Sequence, residues 1–173
     1  MRRAALVLGV GLGLCAISRS APAFEREWHV GVGAGVSNGN GLALSPALAA
    51  YAAYGLSDVF DARVELTARG YHLGREQNPN ALSAMAGVAY KLDVLRWVPW
   101  AGVYAGYVTF LDELPVSTAF ERHDLALGLG LGLDYAFNRK LGAGVTLRFD
   151  NALGGSSAST FDALLRAEYR WGW

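Results

Sequence analysis

Thr160-Phe161-Asp162-Ala163-Leu164-Leu165-Arg166-Ala167-Glu168-Tyr169-Arg170-Trp171-Gly172-Trp173 is the stretch that decides the fold. Phe161, Ala163, Leu165, Ala167, Tyr169, Trp171 and Trp173 are all apolar or aromatic, and they recur at every second position. Between them lie Thr160, Asp162, Leu164, Arg166, Glu168, Arg170 and Gly172. A period of two belongs to a strand, whose successive side chains point to opposite faces. One face suits lipid, whereas the other carries four charges. A long strand that is greasy on one side and charged on the other is the pattern of a membrane-spanning barrel.

The same alternation extends through the chain and predicts eight strands. The first covers about Glu27–Ser37, with Trp28, Val30, Val32, Ala34 and Val36 on one face and His29, Gly31, Gly33 and Gly35 on the other. The second, about Ala43–Gly55, is Ala-rich and poorly phased, with Pro46 near its outer end. The third, about Phe60–His72, alternates Phe60, Ala62, Val64, Leu66 and Ala68 with Asp61, Arg63, Glu65, Thr67 and Arg69. The fourth is about Ala81–Asp93, and the fifth, about Pro99–Phe110, has an ambiguous phase. The sixth, about His123–Ala136, sets Leu125 through Leu133 and Tyr135 against Asp124, Ala126, Gly128, Gly130, Gly132 and Asp134. The seventh is about Lys140–Asp150, with Leu141, Ala143, Val145, Leu147 and Phe149 outward.

Each predicted strand has about the 9–11 residues a tilted strand needs to cross a bilayer, or slightly more. In lipid every backbone N–H and C=O needs an internal partner, so the sheet must close and strand 8 must pair with strand 1. Gly31, Gly33 and Gly35 would then leave room for Arg166, Glu168 and Arg170, and Gly128, Gly130 and Gly132 would lie near Arg148. The expected fold is all-β: a closed eight-stranded antiparallel up-and-down transmembrane β-barrel over residues 24–173. Two rivals fall away. A helical bundle would need charge-free apolar runs of about 18 residues, which are missing after residue 23. A soluble lipocalin-like barrel would have to hide the strand 8 aromatics and expose Arg166, Glu168 and Arg170.

The amino terminus agrees with this reading. Met1-Arg2-Arg3 is basic, Ala4–Ile17 is apolar, and Ser18–Ala23 closes on Ala21-Pro22-Ala23. These are the regions of a secretory signal peptide, residues 1–23, with cleavage after Ala23. The apolar run is short for a retained anchor. Leu14 before Cys15 does not suit a lipobox, and removal of Cys15 leaves no thiol for a disulfide, metal site or nucleophile. The whole chain has 15 basic and 15 acidic residues, and the leader carries Arg2, Arg3 and Arg19 with no acid, so the remainder is net acidic. Nothing in that balance points to a nucleic-acid partner.

An even strand number puts both ends of the barrel chain on one side, taken as the periplasm. Leu56-Ser57-Asp58-Val59 and Phe137-Asn138-Arg139 read as short periplasmic turns, and Val94–Val98 as a longer apolar one. Glu76–Asn80, Leu111–Arg122 and Asn151–Ser159 read as extracellular loops; Leu111–Arg122 is the expected partner-contacting surface, or else a loop tip folded onto the rim. Trp28, Tyr54, Tyr90, Trp97, Trp100, Tyr135, Tyr169, Trp171 and Trp173 are expected in an interfacial aromatic belt.

Tyr54-Gly55-Leu56-Ser57-Asp58-Val59-Phe60-Asp61 resembles a turn common in small bacterial outer-membrane barrels. Pro99-Trp100-Ala101-Gly102-Val103-Tyr104-Ala105-Gly106-Tyr107 resembles their mid-chain strand. Tyr169, Trp171 and Trp173 resemble the C-terminal signal read by the barrel-assembly machinery, although Phe is the commoner last residue. The chain thus resembles the OmpA/OmpX/OmpW-like group. The resemblance implies residence in the outer membrane of a Gram-negative bacterium, contact with outer-membrane lipid, and passage through the assembly machinery. The group includes anchors, adhesins, small pores and lipid-modifying enzymes.

The predicted inward charges are Asp61, Arg63, Glu65, Arg69, Lys91, Asp93, Asp124, Asp134, Lys140, Arg148, Asp150, Asp162, Arg166, Glu168 and Arg170, seven basic and eight acidic. A selectivity ring would show one sign. Mixed signs in a lumen just wide enough for side chains favour pairing and filling. The expected role is therefore structural or surface-interacting, as a monomer. The alternative is a narrow, OmpW-like path for small or apolar solutes along the glycine-lined side. No cofactor, catalytic residue or metal ligand is assigned. A lipid A deacylase barrel would want a His–Ser pair with an acid on the outer wall. His72, His123, Ser117, Thr118, Glu121 and Asp124 supply the residue types without a His-x-Ser spacing. His72 and His123 offer no recognisable third metal ligand. The glycine repeats continue the strand period and precede no helix, so they are not nucleotide loops.

Overall fold

The computed structural model describes residues 26–39, 44–70, 80–92, 96–111, 123–154 and 159–172. Eight strands form: β1 Trp28–Gly39, β2 Ser45–Gly55, β3 Phe60–Gly70, β4 Asn80–Lys91, β5 Trp97–Phe110, β6 His123–Ala136, β7 Leu141–Ala152 and β8 Ser159–Trp171. Each pairs antiparallel with the next, and β1 pairs with β8, so the barrel is closed. Closure leaves no strand edge unpaired, the condition that lipid imposes on backbone polar groups.

The β1–β8 register runs Trp28↔Trp171, His29↔Arg170, Gly31↔Glu168 and Gly33↔Arg166. Gly31 and Gly33 thus sit opposite the charged side chains of Glu168 and Arg166, as their alternation predicts, whereas Arg170 faces His29 and Gly35 faces Leu164. Gly35 is there for close approach: a Cβ on it would run into the Ala163 carbonyl oxygen.

The outer wall is apolar. Val32, Leu48, Val64, Val103, Leu125 and Leu165 are each more than half exposed. Such a surface would be a severe liability in water and is the natural solvent-facing surface in hydrocarbon. No described helix is long and apolar enough to cross a membrane.

Two short turns and the start of β1 and end of β8 lie together at what we call the proximal end. In the β2–β3 turn Leu56 N–H donates to the Phe60 carbonyl at 2.8 Å, and the Ser57 hydroxyl accepts from Phe60 N–H at 3.1 Å. In the β6–β7 turn Asn138 Oδ1 accepts from the N–H groups of Lys140 and Leu141 at 2.8 and 2.9 Å. Such side-chain caps are what Ser and Asn contribute to tight turns. An aromatic girdle surrounds this end, with ring centroids 4.9 Å apart for Trp28–Tyr54, 5.4 Å for Phe60–Tyr90 and 4.8 Å for Trp97–Tyr135.

The phases of β2 and β5 become definite. Ala47, Ala49, Tyr51 and Ala53 of β2 point inward, as do Val98, Trp100, Tyr104 and Phe110 of β5. Trp100 therefore leaves the expected interfacial belt and is only 4% exposed. The cause lies on the neighbouring strand: Trp100 pairs with Gly132, and a Cβ there would collide with the indole. The other described aromatics of that belt stay on the outer wall, and Trp173 lies outside the described residues.

Candidate functional site

The lumen is where the charged side chains converge. Thirteen of the fifteen predicted inward charges are buried there: Asp61, Arg63, Glu65, Arg69, Lys91, Asp124, Asp134, Arg148, Asp150, Asp162, Arg166, Glu168 and Arg170, none more than 7% exposed. Asp93 lies outside the described residues. Lys140 is a correction: it is exposed in the turn before β7 rather than facing the lumen. Strand alternation was carried one residue too far, into a segment where Asn138 sets the backbone geometry.

At the distal end the charges form one connected cluster. Arg69 Nε donates to Asp162 Oδ1 at 2.9 Å, and its Nη2 reaches Asp162 at 2.5 Å and Asp150 at 2.7 Å. Its Nη1 donates to the Ser83 hydroxyl at 2.9 Å. Arg148 Nε donates to the other oxygen of Asp150 at 2.8 Å, and its Nη1 pairs with Glu65. The Thr67 hydroxyl donates to Glu65 at 3.2 Å. Four strands, β3, β4, β7 and β8, are tied across the lumen by this cluster.

The proximal half repeats the principle with separate groups. Lys91 Nζ lies 2.7 Å from Asp61, and Arg63 lies 3.5 Å from the same carboxylate. Arg166 pairs with Asp134, and Arg170 Nε donates to Glu168 at 2.5 Å. The Tyr51 hydroxyl donates to the second Glu168 oxygen at 2.6 Å. The two ring nitrogens of His29 lie 3.4 Å from Glu27 and 3.4 Å from Glu168.

Between the two charged ends lies an aromatic layer. Trp100 and Tyr104 pack with Met85, Ala89 and Ala126. Their rings cover the inward glycines of β6: a Cβ on Gly130 would meet both rings at 3.0–3.2 Å. The arginines stack on this layer. The Arg63 guanidinium lies 4.1 Å and that of Arg166 4.6 Å from the Trp100 ring centroid, and Arg166 is 4.7 Å from Tyr51. Arg148 is 5.1 Å from Tyr104. Stacked guanidiniums that also bond carboxylates are fixed by both contacts. The β6 glycines thus make room for the β5 rings. Arg148 does pair with Gly130 in the ladder, as the expected proximity required.

Glu27, Tyr51, Trp100 and Tyr104 were not among the predicted lumen residues, whereas His29 lies on the inward glycine face of β1 as its alternation predicts. The signal for the rings was the unbroken Gly128-x-Gly130-x-Gly132 spacing, an empty strip on one strand that asks for bulk on its neighbour.

On the outer wall at the distal rim, the Thr109 hydroxyl lies 2.8 Å from His123 Nδ1, and His123 stacks on Tyr107 at 6.0 Å. His72, Ser117, Thr118 and Glu121 lie outside the described residues, as do most of the predicted outer loops. Among the described residues no group of three or more His, Cys, Asp or Glu is arranged to hold a metal ion.

No family model matches the chain, and no curated protein matches it. Solved structures do. The crystal structure of Neisserial surface protein A superposes with a TM-score of 0.68 at 14% identity, over 84% of this chain and 96% of that one. The outer membrane protein OprG from Pseudomonas aeruginosa gives 0.65 at 14% identity, over 88% of this chain and 99% of that one. The outer membrane enzyme PagL gives 0.62 at 13% identity, over 80% and 97%. At these identities the likeness establishes the fold: the chain has the architecture of the small eight-stranded outer-membrane β-barrels. That architecture agrees with the OmpA/OmpX-like resemblance of its strands and turns. A fold shared by a surface protein and an enzyme leaves function to be argued from the site.

Proposed function

We propose that this chain is an outer-membrane barrel with a structural or surface-interaction role, its lumen closed and its working surface outside it. The observation that carries the reading is the filled cross-section. Charges of both signs are bonded across the lumen, in one distal cluster and in separate proximal groups, and Trp100 and Tyr104 occupy the glycine-lined side where a solute path would run. A pore with ion selectivity would instead present one sign of charge to an open path. The proximal end would face the periplasm, where short turns belong, and the distal end would present the segments between strands to the exterior. The reading is non-enzymatic: Thr109 and His123 form a rung between β5 and β6, capped by Tyr107. The chain would act as a monomer.

The test is single-channel recording of the refolded chain, without residues 1–23, in a planar bilayer. With insertion verified separately by protease protection, the proposal expects a silent membrane. Reproducible openings of fixed unit size would overturn it in favour of a narrow channel.

A further inference from the structure

On the outer wall, β7, β8 and β1 enclose an apolar groove of about 500 Å³. Its shape follows from two rungs of the sheet. Leu141, Tyr169 and Val30 form one rung, and Ala143, Ala167 and Val32 form the next. The two alanines sink the wall between larger neighbours, and Phe137 closes the proximal end of the trough.

The described exposed charges beside that end are of one sign. Arg139 and Lys140 are exposed on the β6–β7 turn, immediately before Leu141. The turn is held in place by Asn138 and by the Lys140 carbonyl, which accepts from Arg170 N–H at 2.9 Å. Arg26, also exposed, precedes β1 on the groove's other side, with its N–H bonded to the Gly55 carbonyl at 3.1 Å. The described acids nearest the strand ends here, Glu27, Asp61, Asp134 and Glu168, are buried in the lumen. Asp58 is half-buried on the β2–β3 turn, which begins beside the Gly55 carbonyl that holds Arg26. Among the described residues no exposed acid lies beside Arg139 and Lys140. They also sit level with the Trp28–Trp171 pair, where an aromatic belt marks the headgroup boundary.

We propose that this trough and its cationic rim form a binding site for an anionic phospholipid of the adjoining leaflet, with the acyl chain along Ala143 and Ala167 and the phosphate at Arg139, Lys140 and Arg26. Charge complementarity selects the headgroup; the trough selects a lipid over a soluble anion. A larger groove of about 550 Å³ on the β2–β5 wall, lined by Ala50, Ala52, Ala84 and Ala86, lies at mid-strand away from these cations and serves as the internal contrast. The inference rests on the membrane-spanning reading above.

The test uses Trp97→Phe protein, which leaves Trp28 and Trp171 beside the groove as outer-wall reporters. It is refolded into phosphatidylcholine vesicles containing a small, equal fraction of either brominated phosphatidylglycerol or brominated phosphatidylcholine. Fluorescence quenching reads lipid occupancy. An exposed cation at a membrane surface is worth about a fivefold preference for anionic lipid. The brominated anionic lipid should therefore quench at several-fold lower mole fraction. Arg26→Gln with Arg139→Gln and Lys140→Gln should bring the two lipids close to parity, and Ala167→Leu, which fills the trough without touching charge, should weaken quenching by both. Equal quenching in the parent protein, or a preference that survives the triple charge variant, overturns the site while leaving the barrel reading intact. A chain that fails to insert, with no protease protection, overturns the membrane reading and the site with it.

Discussion

Arg69→Gln tests the distal cluster most sharply. Arg69 is 2% exposed and its guanidinium bonds Asp162, Asp150 and Ser83. The cluster holds two cations, Arg69 and Arg148, against three carboxylates, Glu65, Asp150 and Asp162. Removing one cation leaves Asp162 with its charge partner gone and Asp150 with only Arg148. Breaking a buried pair by deleting one partner costs about 3–5 kcal/mol, because the remaining charge stays desolvated. With a urea dependence of about 2 kcal/mol per molar, the unfolding midpoint should fall by roughly 2 M. The assay is reversible urea unfolding in phosphatidylcholine vesicles, followed by tryptophan fluorescence. Adding Asp162→Asn should recover part of the loss, since the stranded charge is then removed, with a coupling of about 0.5–3 kcal/mol. A loss below about 1 kcal/mol, with no recovery in the double variant, would refute the reasoning. It would mean that water reaches the carboxylates and solvates them in place of arginine.

Four further outcomes follow from the same account. Trp100→Ala empties the aromatic layer, should cost about 3–5 kcal/mol in the same urea assay, and should produce the first measurable conductance, because the β6 glycines cannot refill the space. Neutralising Arg63 or Glu65 should lower the unfolding midpoint without opening a large conductance, since the rings stay in place; a large, stable conductance would identify a gate instead. Lys140→Gln should change stability by less than about 0.5 kcal/mol, as an exposed turn position does, in contrast to every charge inside the lumen. Protein recovered from a bacterial envelope should begin at Phe24, which intact mass measurement checks against the uncleaved chain.

How far the sequence carried depended on side-chain contrast. β3, β6, β7 and β8 alternate charged or glycine positions with Leu, Val and aromatic ones, so their bounds and faces could be read within a residue or two. β2 and β5 could not be phased, because alanine and glycine satisfy either face and carry little hydropathy difference. Trp100 was misplaced for a related reason. An aromatic near a strand end reads as interfacial, and only the cross-strand pairing with Gly132 shows that the ring has space inside. Which charges face the lumen was legible; which charge bonds which was not. Arg69 and Asp162, or Arg148 and Glu65, meet across the barrel rather than along the chain, so no spacing encodes them. Lys140 fell the other way, because alternation ends where a turn begins.

The central claim is that bonded charges and stacked rings leave no continuous path through the barrel. Stopped-flow light scattering of proteoliposomes under an osmotic step tests it most directly, because water is the smallest solute a path could pass. The account predicts shrinkage at the rate of protein-free vesicles, with Trp100→Ala protein faster than both. Accelerated shrinkage with the unaltered chain, scaling with the amount inserted, would contradict it.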